Sequence, residues 1–198
     1  MTVMKFRAMT LLAVALAVCP TASVAKLRLF APARHKAPAK LGPQPAPYQW
    51  TLGNAPQAHK DLVATFGRVG LNPGEYLWTS AVPTQGDTRV VIDRLTQMFY
   101  VYRADKLVGA AHVSTAKQGH ITPLGEWKIL EKRPFYRSKK YDNAPMPWME
   151  RIDEYGIALH GGGTPGHPES HGCIHLPTKF AEKLYSMTKI GTKVIIEG

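Results

Sequence analysis

Alternation of apolar and polar residues is strongest in the second half of the chain, where it predicts a sheet. From about Asp87 onward, short β-branched and aromatic runs are separated by turn residues, as is typical of strands. A helical spacing of Phe180, Leu184 and Met187 predicts one clear helix over 178–189, which Gly191 ends. The pattern therefore indicates a mainly β domain, with predicted strands at 89–93, 98–102, 107–114, 126–130, 156–160 and 193–197.

Two segments carry weaker patterns. Residues 49–85 form an N-terminal lead-in segment in which 57–66 is a candidate short helix. Residues 133–147 are polar, aromatic and interrupted by proline, so they are expected to form a long loop, and such loops are usually functional. We expect this loop to cover a cleft, with Arg137 and Lys139 attracting an acidic substrate; a solvated basic loop is the alternative.

The first 25 residues have the three-part pattern of a secretory signal. Lys5 and Arg7 form a positive start, residues 8–18 an apolar run, and Ser23-Val24-Ala25 a small-residue cleavage site. The apolar run is shorter than the roughly 20 residues that span a bilayer. We therefore expect a signal peptide over 1–25 and a periplasmic or otherwise exported protein, with lipid attachment at Cys19 as an open alternative.

Composition indicates a globular chain with a basic linker. With 44% hydrophobic and 20% charged residues the chain can bury a core, which we place in a domain over 86–198. Loss of the signal would reduce the 25 basic residues by Lys5 and Arg7 to 23, and the net charge from +11 to +9. Residues 26–48 are rich in Pro and Ala and hold no acid. We expect this linker to contact an acidic cell-wall or membrane surface, and no nucleic acid.

One short segment concentrates the candidate chemistry. Residues 160–175 contain four of the eight histidines together with Cys173, which would be the single cysteine of the exported chain. A nearby imidazole can activate a thiol as a nucleophile, so we expect Cys173 to be accessible and partly ionised at neutral pH. Gly172 would let a substrate carbonyl approach backbone N–H groups that stabilise an oxyanion. The glycines at 161–163 would leave room for an extended peptide beside His160.

Two other interpretations of this segment stay open. Cys173 would be inert if it were buried in an apolar run, but its neighbours are polar. The segment could also supply zinc ligands, from His160, His167, His171, Cys173 and His175. Their spacing matches no common zinc pattern, so we expect neither a metal nor another cofactor.

The residues around Cys173 resemble a known catalytic signature. Ser170-His171-Gly172-Cys173-Ile174, preceded by the strand-ending His160, is similar to the signature of the L,D-transpeptidase (YkuD-like) family. The resemblance covers roughly residues 73–197 and implies a β-sandwich of the L,D-transpeptidase catalytic type, with a cleft at one end and one prominent helix after the cysteine. Further stretches that resemble the family lie at 90–93, 99–102, 114–117, 122–125 and 144–147.

The resemblance also implies an activity and a set of roles. Cys173 would attack the carbonyl of a diaminopimelate at the third position of a peptidoglycan stem tetrapeptide, release D-Ala and pass the acyl group to an amine. His160 would be its base, oriented by a backbone carbonyl, and His171 would line the site. The expected residues for substrate or oxyanion binding are Gly172, Ser170, His175, Tyr141 and Trp148.

The sequence departs from the family at one motif position. His175 stands where the family has Arg or Asn, and the spacing from His160 to Cys173 is shorter than in many members. A histidine is charged only in mildly acidic surroundings, so we expect substrate binding to depend on pH. Two other functions remain: a cysteine carboxypeptidase or hydrolase acting on the same stems, and a non-catalytic cell-wall-binding module.

Overall fold

A computed structural model describes residues 50–198 of the protein. The expected signal peptide, 1–25, and the basic linker, 26–48, lie outside the described residues. Among residues 50–198, no helix has the length and apolar character needed to cross a bilayer. The elements are α1 (Asn54–Phe66), β1 (Tyr76–Trp78), β2 (Thr88–Asp93), β3 (Met98–Arg103), β4 (Lys106–His112), β5 (Gly125–Lys128), β6 (Glu131–Arg133), β7 (Met149–Arg151), β8 (Ala158–Gly161), β9 (Ile174–Leu176), α2 (Thr178–Met187) and β10 (Lys193–Glu197).

The strands form two sheets that share a core. The larger sheet has the order β1-β4-β3-β2-β10-β5, and the smaller has the order β6-β7-β8-β9. β10 lies parallel to β2 on one side and antiparallel to β5 on the other. Phe180 of α2 packs in the same buried cluster as Leu159 and Ile174 of the smaller sheet and Val90 and Ile196 of the larger one. The expected mainly β fold, with a helix directly after the segment of Cys173, is confirmed.

Most predicted elements agree with the structure, and the differences have local causes. β4 ends at His112 and not at Ser114, because Ser114 pairs with His175 of the smaller sheet. β5 ends at Lys128. Two residues later the Leu130 N–H donates to the carbonyl of Arg151, which belongs to the smaller sheet. α2 ends at Met187, two residues before the predicted end, where Thr188 adopts an extended conformation.

The lead-in segment contributes α1 and β1 to the larger sheet. β1 pairs with β4, and α1 buries Ala55, Ala58 and Leu62 against a cluster that includes Tyr100 and Ile195. The helix begins three residues earlier than predicted, because the carboxylate of Glu197 in β10 accepts hydrogen bonds around its N-terminus. The donors are the backbone N–H groups of Leu52 (2.8 Å), Asn54 (3.2 Å) and Ala55 (2.7 Å) and the side chains of Thr51 (2.8 Å) and Asn54 (3.1 Å).

A buried ion pair joins the smaller sheet to the C-terminal end of α2. Lys132 of β6 lies 3.2 Å from the carboxylate of Glu150, which is fully buried on β7. The same ammonium group donates to the carbonyls of Tyr185 and Thr188, both at 2.6 Å. Burial raises the pKa of Glu150, while Thr188 and Lys132 act in the opposite direction. A cation at the end of a helix also interacts favourably with its dipole, so this contact fixes α2 behind the smaller sheet.

We predict that Glu197→Gln destabilises the protein by about 3 kcal/mol, because the amide loses charge-assisted hydrogen bonds and faces backbone donors with its own N–H₂ group. Burial alone would raise the pKa of Glu197, but the bonds from Ala55, Asn54, Leu52 and Thr51 outweigh it and lower the pKa. The contribution of Glu197 is therefore complete above the unfolded-state pKa of about 4.3 and is lost as the pH falls through the lowered value.

Urea unfolding at pH 7 and at pH 3 measures this effect, and the difference between wild type and Glu197→Gln should shrink at the lower pH. Glu182→Gln, which changes a partly exposed carboxylate on α2, is the matched control and should change stability by less than about 0.5 kcal/mol. Equal stabilities of wild type and Glu197→Gln at pH 7 would contradict the capping role.

Candidate active site

The parallel pairing of β8 and β9 brings the predicted site residues together. Its register pairs Leu159 with Ile174 and His160 with His175. Side chains of a strand alternate between the two faces, so Leu159 and Ile174 enter the core while both histidines lie on the opposite face. Cys173 precedes Ile174 by one residue and therefore shares the face of the histidines. The ring centroids of His160 and His175 are 4.8 Å apart.

His160 is held as a neutral base. Its side chain is buried, and its Nδ1 lies 3.0 Å from the carbonyl oxygen of Gly161. A carbonyl can only accept, so Nδ1 carries the proton and Nε2 of the neutral ring is free to accept one. Burial lowers the pKa of His160 to about 4, with the charge of His175 adding to this effect and the Gly161 carbonyl opposing it. The ring is therefore unprotonated over the neutral range.

Cys173 is half-buried at the start of β9. Its thiol points to the carbonyl of Gly156 at 3.7 Å and packs beside Met146, Met149 and Ala158. Burial raises the pKa of the Cys173 thiol; the Ala158 N–H opposes this effect and the Asp153 carboxylate adds to it. This direction is opposite to the expected partial ionisation and favours the uncharged thiol, which needs a base when it attacks.

Ser170 and Gly172 shape the turn that carries Cys173. The buried hydroxyl of Ser170 accepts the Gly172 N–H at 3.0 Å and donates to the Cys173 carbonyl at 2.6 Å. Thr122 donates to the Gly172 carbonyl at 2.8 Å. Gly172 has φ of 135°, and a Cβ there would lie 2.3 Å from Cδ1 of Ile157. In this conformation the polar groups of both residues bond within the protein, so their effect is to hold the turn in place.

His171 is in contact with the long loop, residues 133–147. The ring of Tyr141 from this loop stacks on His171 at 4.4 Å and 21°, and His120 meets it edge-on at 4.6 Å. Partial desolvation lowers the pKa of His171, and the charges of Lys117, His120 and His175 add to the effect. Tyr141 and His171 therefore form one aromatic wall beside the cysteine turn.

Trp148 lies at the base of the loop, between Phe135 and α2. Its ring contacts Phe135 at 6.1 Å and Tyr185 of α2 at 5.4 Å. Its backbone N–H donates to the Pro134 carbonyl, which closes the loop at this end. The sequence alone did not separate the roles of Tyr141 and Trp148, because both are aromatic residues of the same polar segment.

His175 has an acidic partner that the sequence analysis missed. Its Nδ1 lies 3.2 Å from Oε1 of Glu169. The pair lies against two glycines: a Cβ at Gly162 would be 3.2 Å from the His175 ring, and a Cβ at Gly163 would be 3.0 Å from Glu169. The space expected for a peptide at these two glycines is therefore occupied by His175 and Glu169. The sequence offered one indication of this pair: Glu169 is the single acidic residue of the segment 160–175, which holds four histidines.

Within residues 50–198, no group of three or more His, Cys, Asp or Glu side chains is arranged to hold a metal ion. His167, one of the candidate zinc ligands, is exposed, and its Nδ1 lies 3.2 Å from the carbonyl of Pro168.

Sequence comparison relates this chain to one family. The sequence profile of the YkuD family, described as the L,D-transpeptidase catalytic domain, matches residues 87–196. YqjB of Bacillus subtilis (strain 168), which is provisionally named an L,D-transpeptidase, is 27% identical over 129 residues; these cover 58% of this chain and 73% of YqjB.

Structure comparison finds solved L,D-transpeptidases of similar fold. An L,D-transpeptidase (Yku) from Stackebrandtia nassauensis is 30% identical with a TM-score of 0.52, over 59% of this chain and 58% of that one. An L,D-transpeptidase from Mycobacterium tuberculosis H37Rv has a TM-score of 0.54 at 21% identity, over 56% of this chain and 57% of that one, and is similar in fold. The chain thus spans less than two thirds of the length of these solved relatives.

We predict that Gly172→Ala destabilises the protein by about 2–4 kcal/mol, because the Cβ adds strain at a positive φ and overlaps Ile157. Thermal unfolding and the rate of iodoacetamide alkylation at Cys173 measure the effect, and both should change. Adding Ile157→Ala removes the side-chain overlap but not the backbone strain, so it should restore the alkylation rate only in part. A Gly172→Ala protein with the melting temperature and alkylation rate of wild type would contradict this account.

Proposed function

Because this chain belongs to the L,D-transpeptidase catalytic domain family, we propose that it is an exported peptidoglycan L,D-transpeptidase with Cys173 as nucleophile and His160 as base. One observation supports the assignment above others: His160 of β8 pairs with His175 of β9, and Cys173 directly precedes β9, with burial favouring the uncharged imidazole of His160 and the uncharged thiol of Cys173. The thiol can lose a proton and the imidazole can accept one, which is the starting state that general-base activation of a nucleophile requires.

In the first half-reaction the acyl group moves to sulfur. As the Cys173 sulfur forms a bond to the carbonyl carbon of the third stem residue, the thiol proton passes to Nε2 of His160. The tetrahedral intermediate then breaks its C–N bond, and the proton on His160 goes to the departing D-Ala amine. The low pKa of His160 makes its protonated form a good acid for this second transfer. The product is a thioester on Cys173.

In the second half-reaction an amine of another stem attacks the thioester. His160 takes a proton from the attacking amine, the C–S bond breaks, and the proton returns to the Cys173 sulfur. The product is an amide cross-link, and the resting thiol is restored. Water in place of the amine would give a free tripeptide, which is the carboxypeptidase reaction.

The basic residues of the long loop are suited to an acidic substrate, and those of the linker to an acidic surface. Arg137 is exposed on the loop and donates to the Asn143 carbonyl at 3.0 Å, while Lys140 lies over the ring of Tyr141. We propose that these cations attract the carboxylates of the stem peptide toward the aromatic wall of Tyr141 and His171. We also propose that a signal peptide directs the protein to the periplasm, where residues 26–48 contact the anionic wall or membrane.

The test is incubation of the protein with tetrapeptide muropeptides and mass analysis of the products. We expect cross-linked dimers, a loss of activity of at least about 10³-fold in Cys173→Ala, and a loss of about 10²–10⁴-fold in His160→Ala. His59→Ala on the exposed face of α1 is the control and should retain activity. Tripeptides without dimers would select the hydrolase, and unchanged muropeptides would contradict catalysis on this substrate.

A further inference from the structure

Three ionisable side chains form a continuous row beside the cysteine. The carboxylate of Glu169 lies 3.2 Å from Nδ1 of His175, and the ring of His175 lies 4.8 Å from that of His160. An ionised carboxylate can only accept, so Nδ1 of His175 carries the proton that faces Glu169. The row therefore runs from a carboxylate through an imidazole to the imidazole that serves as base.

Glu169 and His175 are both held by the segment that follows β4. The Ser114 N–H and carbonyl bond to the backbone of His175 at 3.1 Å and 2.9 Å. The Glu169 N–H donates to the Ser114 hydroxyl at 3.0 Å and lies 3.1 Å from the Thr115 carbonyl. Gly162 and Gly163 form the opposite wall, where a Cβ would come within 3.2 Å of His175 and 3.0 Å of Glu169. The geometry is thus present before substrate binds.

The reaction places a positive charge on this row. When the Cys173 thiol gives its proton to His160, the two imidazoles together gain one proton in a buried site where a cation is poorly solvated. A carboxylate nearby stabilises that charge. Glu169 lies against Gly163, after His160 in the chain, whereas the sulfur lies near Gly156 and Ala158, before it. The carboxylate is therefore in direct contact with an imidazole of the row, at 3.2 Å from His175, while the sulfur has the Gly156 carbonyl as its neighbour.

We propose that Glu169 is a positioning residue of this enzyme, which holds His175 beside His160 and offsets the charge of His175, and thereby stabilises the protonated form of His160 while Cys173 attacks. The proposal rests on the proposed role of His160 as the base for Cys173. It also gives His175 a role: the carboxylate of Glu169 balances a positive charge on the imidazole, which an isolated histidine would leave unbalanced.

Other ionisable groups surround the row and contribute to any pH dependence. Cys173 and His171 come from the same turn, and the charge of His175 acts on His171. Lys117 and His120 come from the neighbouring loop and also act on His171. A substitution at Glu169 leaves all of these side chains in place. A comparison of Glu169 variants therefore measures the contribution of the row formed by Glu169, His175 and His160.

The test uses the pH dependence of iodoacetamide alkylation at Cys173, which reports the thiolate and requires no peptidoglycan. Glu169→Gln keeps an oxygen that can accept the Nδ1 proton but removes the charge. We expect its profile to move to higher pH, with alkylation about threefold to tenfold slower near pH 7. Glu182→Gln, which removes the same charge from α2, should leave the profile in place, and the melting temperatures of all variants are recorded.

A second pair of variants tests whether Glu169 acts through His175. In a His175→Asn background, the change Glu169→Gln should alter alkylation by less than about twofold, since the link is gone. The proposal is overturned if the Glu169→Gln profile coincides with that of wild type, or if its shift persists unchanged in the His175→Asn background. If the Glu169→Gln profile shifts as expected but wild-type protein leaves muropeptides unchanged, the proposed substrate is refuted and the row stands.

Discussion

The register of one parallel strand pair determines the chemistry of this protein. A slip of one residue between β8 and β9 would turn a histidine into the core and Leu159 or Ile174 toward the cleft. The slip is prevented by the buried apolar side chains on the other face and by backbone bonds at the strand ends, where the Gly162 N–H donates to the Leu176 carbonyl. The alignment of nucleophile and base is therefore a consequence of core packing.

In the site without substrate, burial favours the uncharged forms of both Cys173 and His160. Burial keeps the Cys173 thiol protonated and the His160 ring neutral, so charge separates only when a substrate carbonyl is in place. Oxidants react with the thiolate much faster than with the thiol. In the oxidising compartment that we propose for this protein, a protonated and half-buried Cys173, the one cysteine within residues 50–198, would be less open to oxidation between turnovers.

The sequence was most informative where the determining interactions are local. Strand composition located β2, β3, β4, β5, β8 and β10, and residue types in the segment 160–175 identified Cys173 as a candidate nucleophile; the roles of His160 and His171 came from the resemblance to the family. Long-range contacts were not predictable. The partner of His175 depends on how the 162–169 turn folds back, and the protonation of Cys173 depends on burial by Met146 and Met149 of another segment. The start of α1 depends on Glu197, more than 140 residues away.

The position of β10 has a consequence for the order in which the protein forms. This strand lies inside the larger sheet, between β2 and β5, and supplies the carboxylate that caps α1. Non-local strand pairing is slow, because a long loop must close before any contact is gained. The larger sheet, which includes β1 and packs against α1, therefore cannot be completed until residues 193–197 have been synthesised.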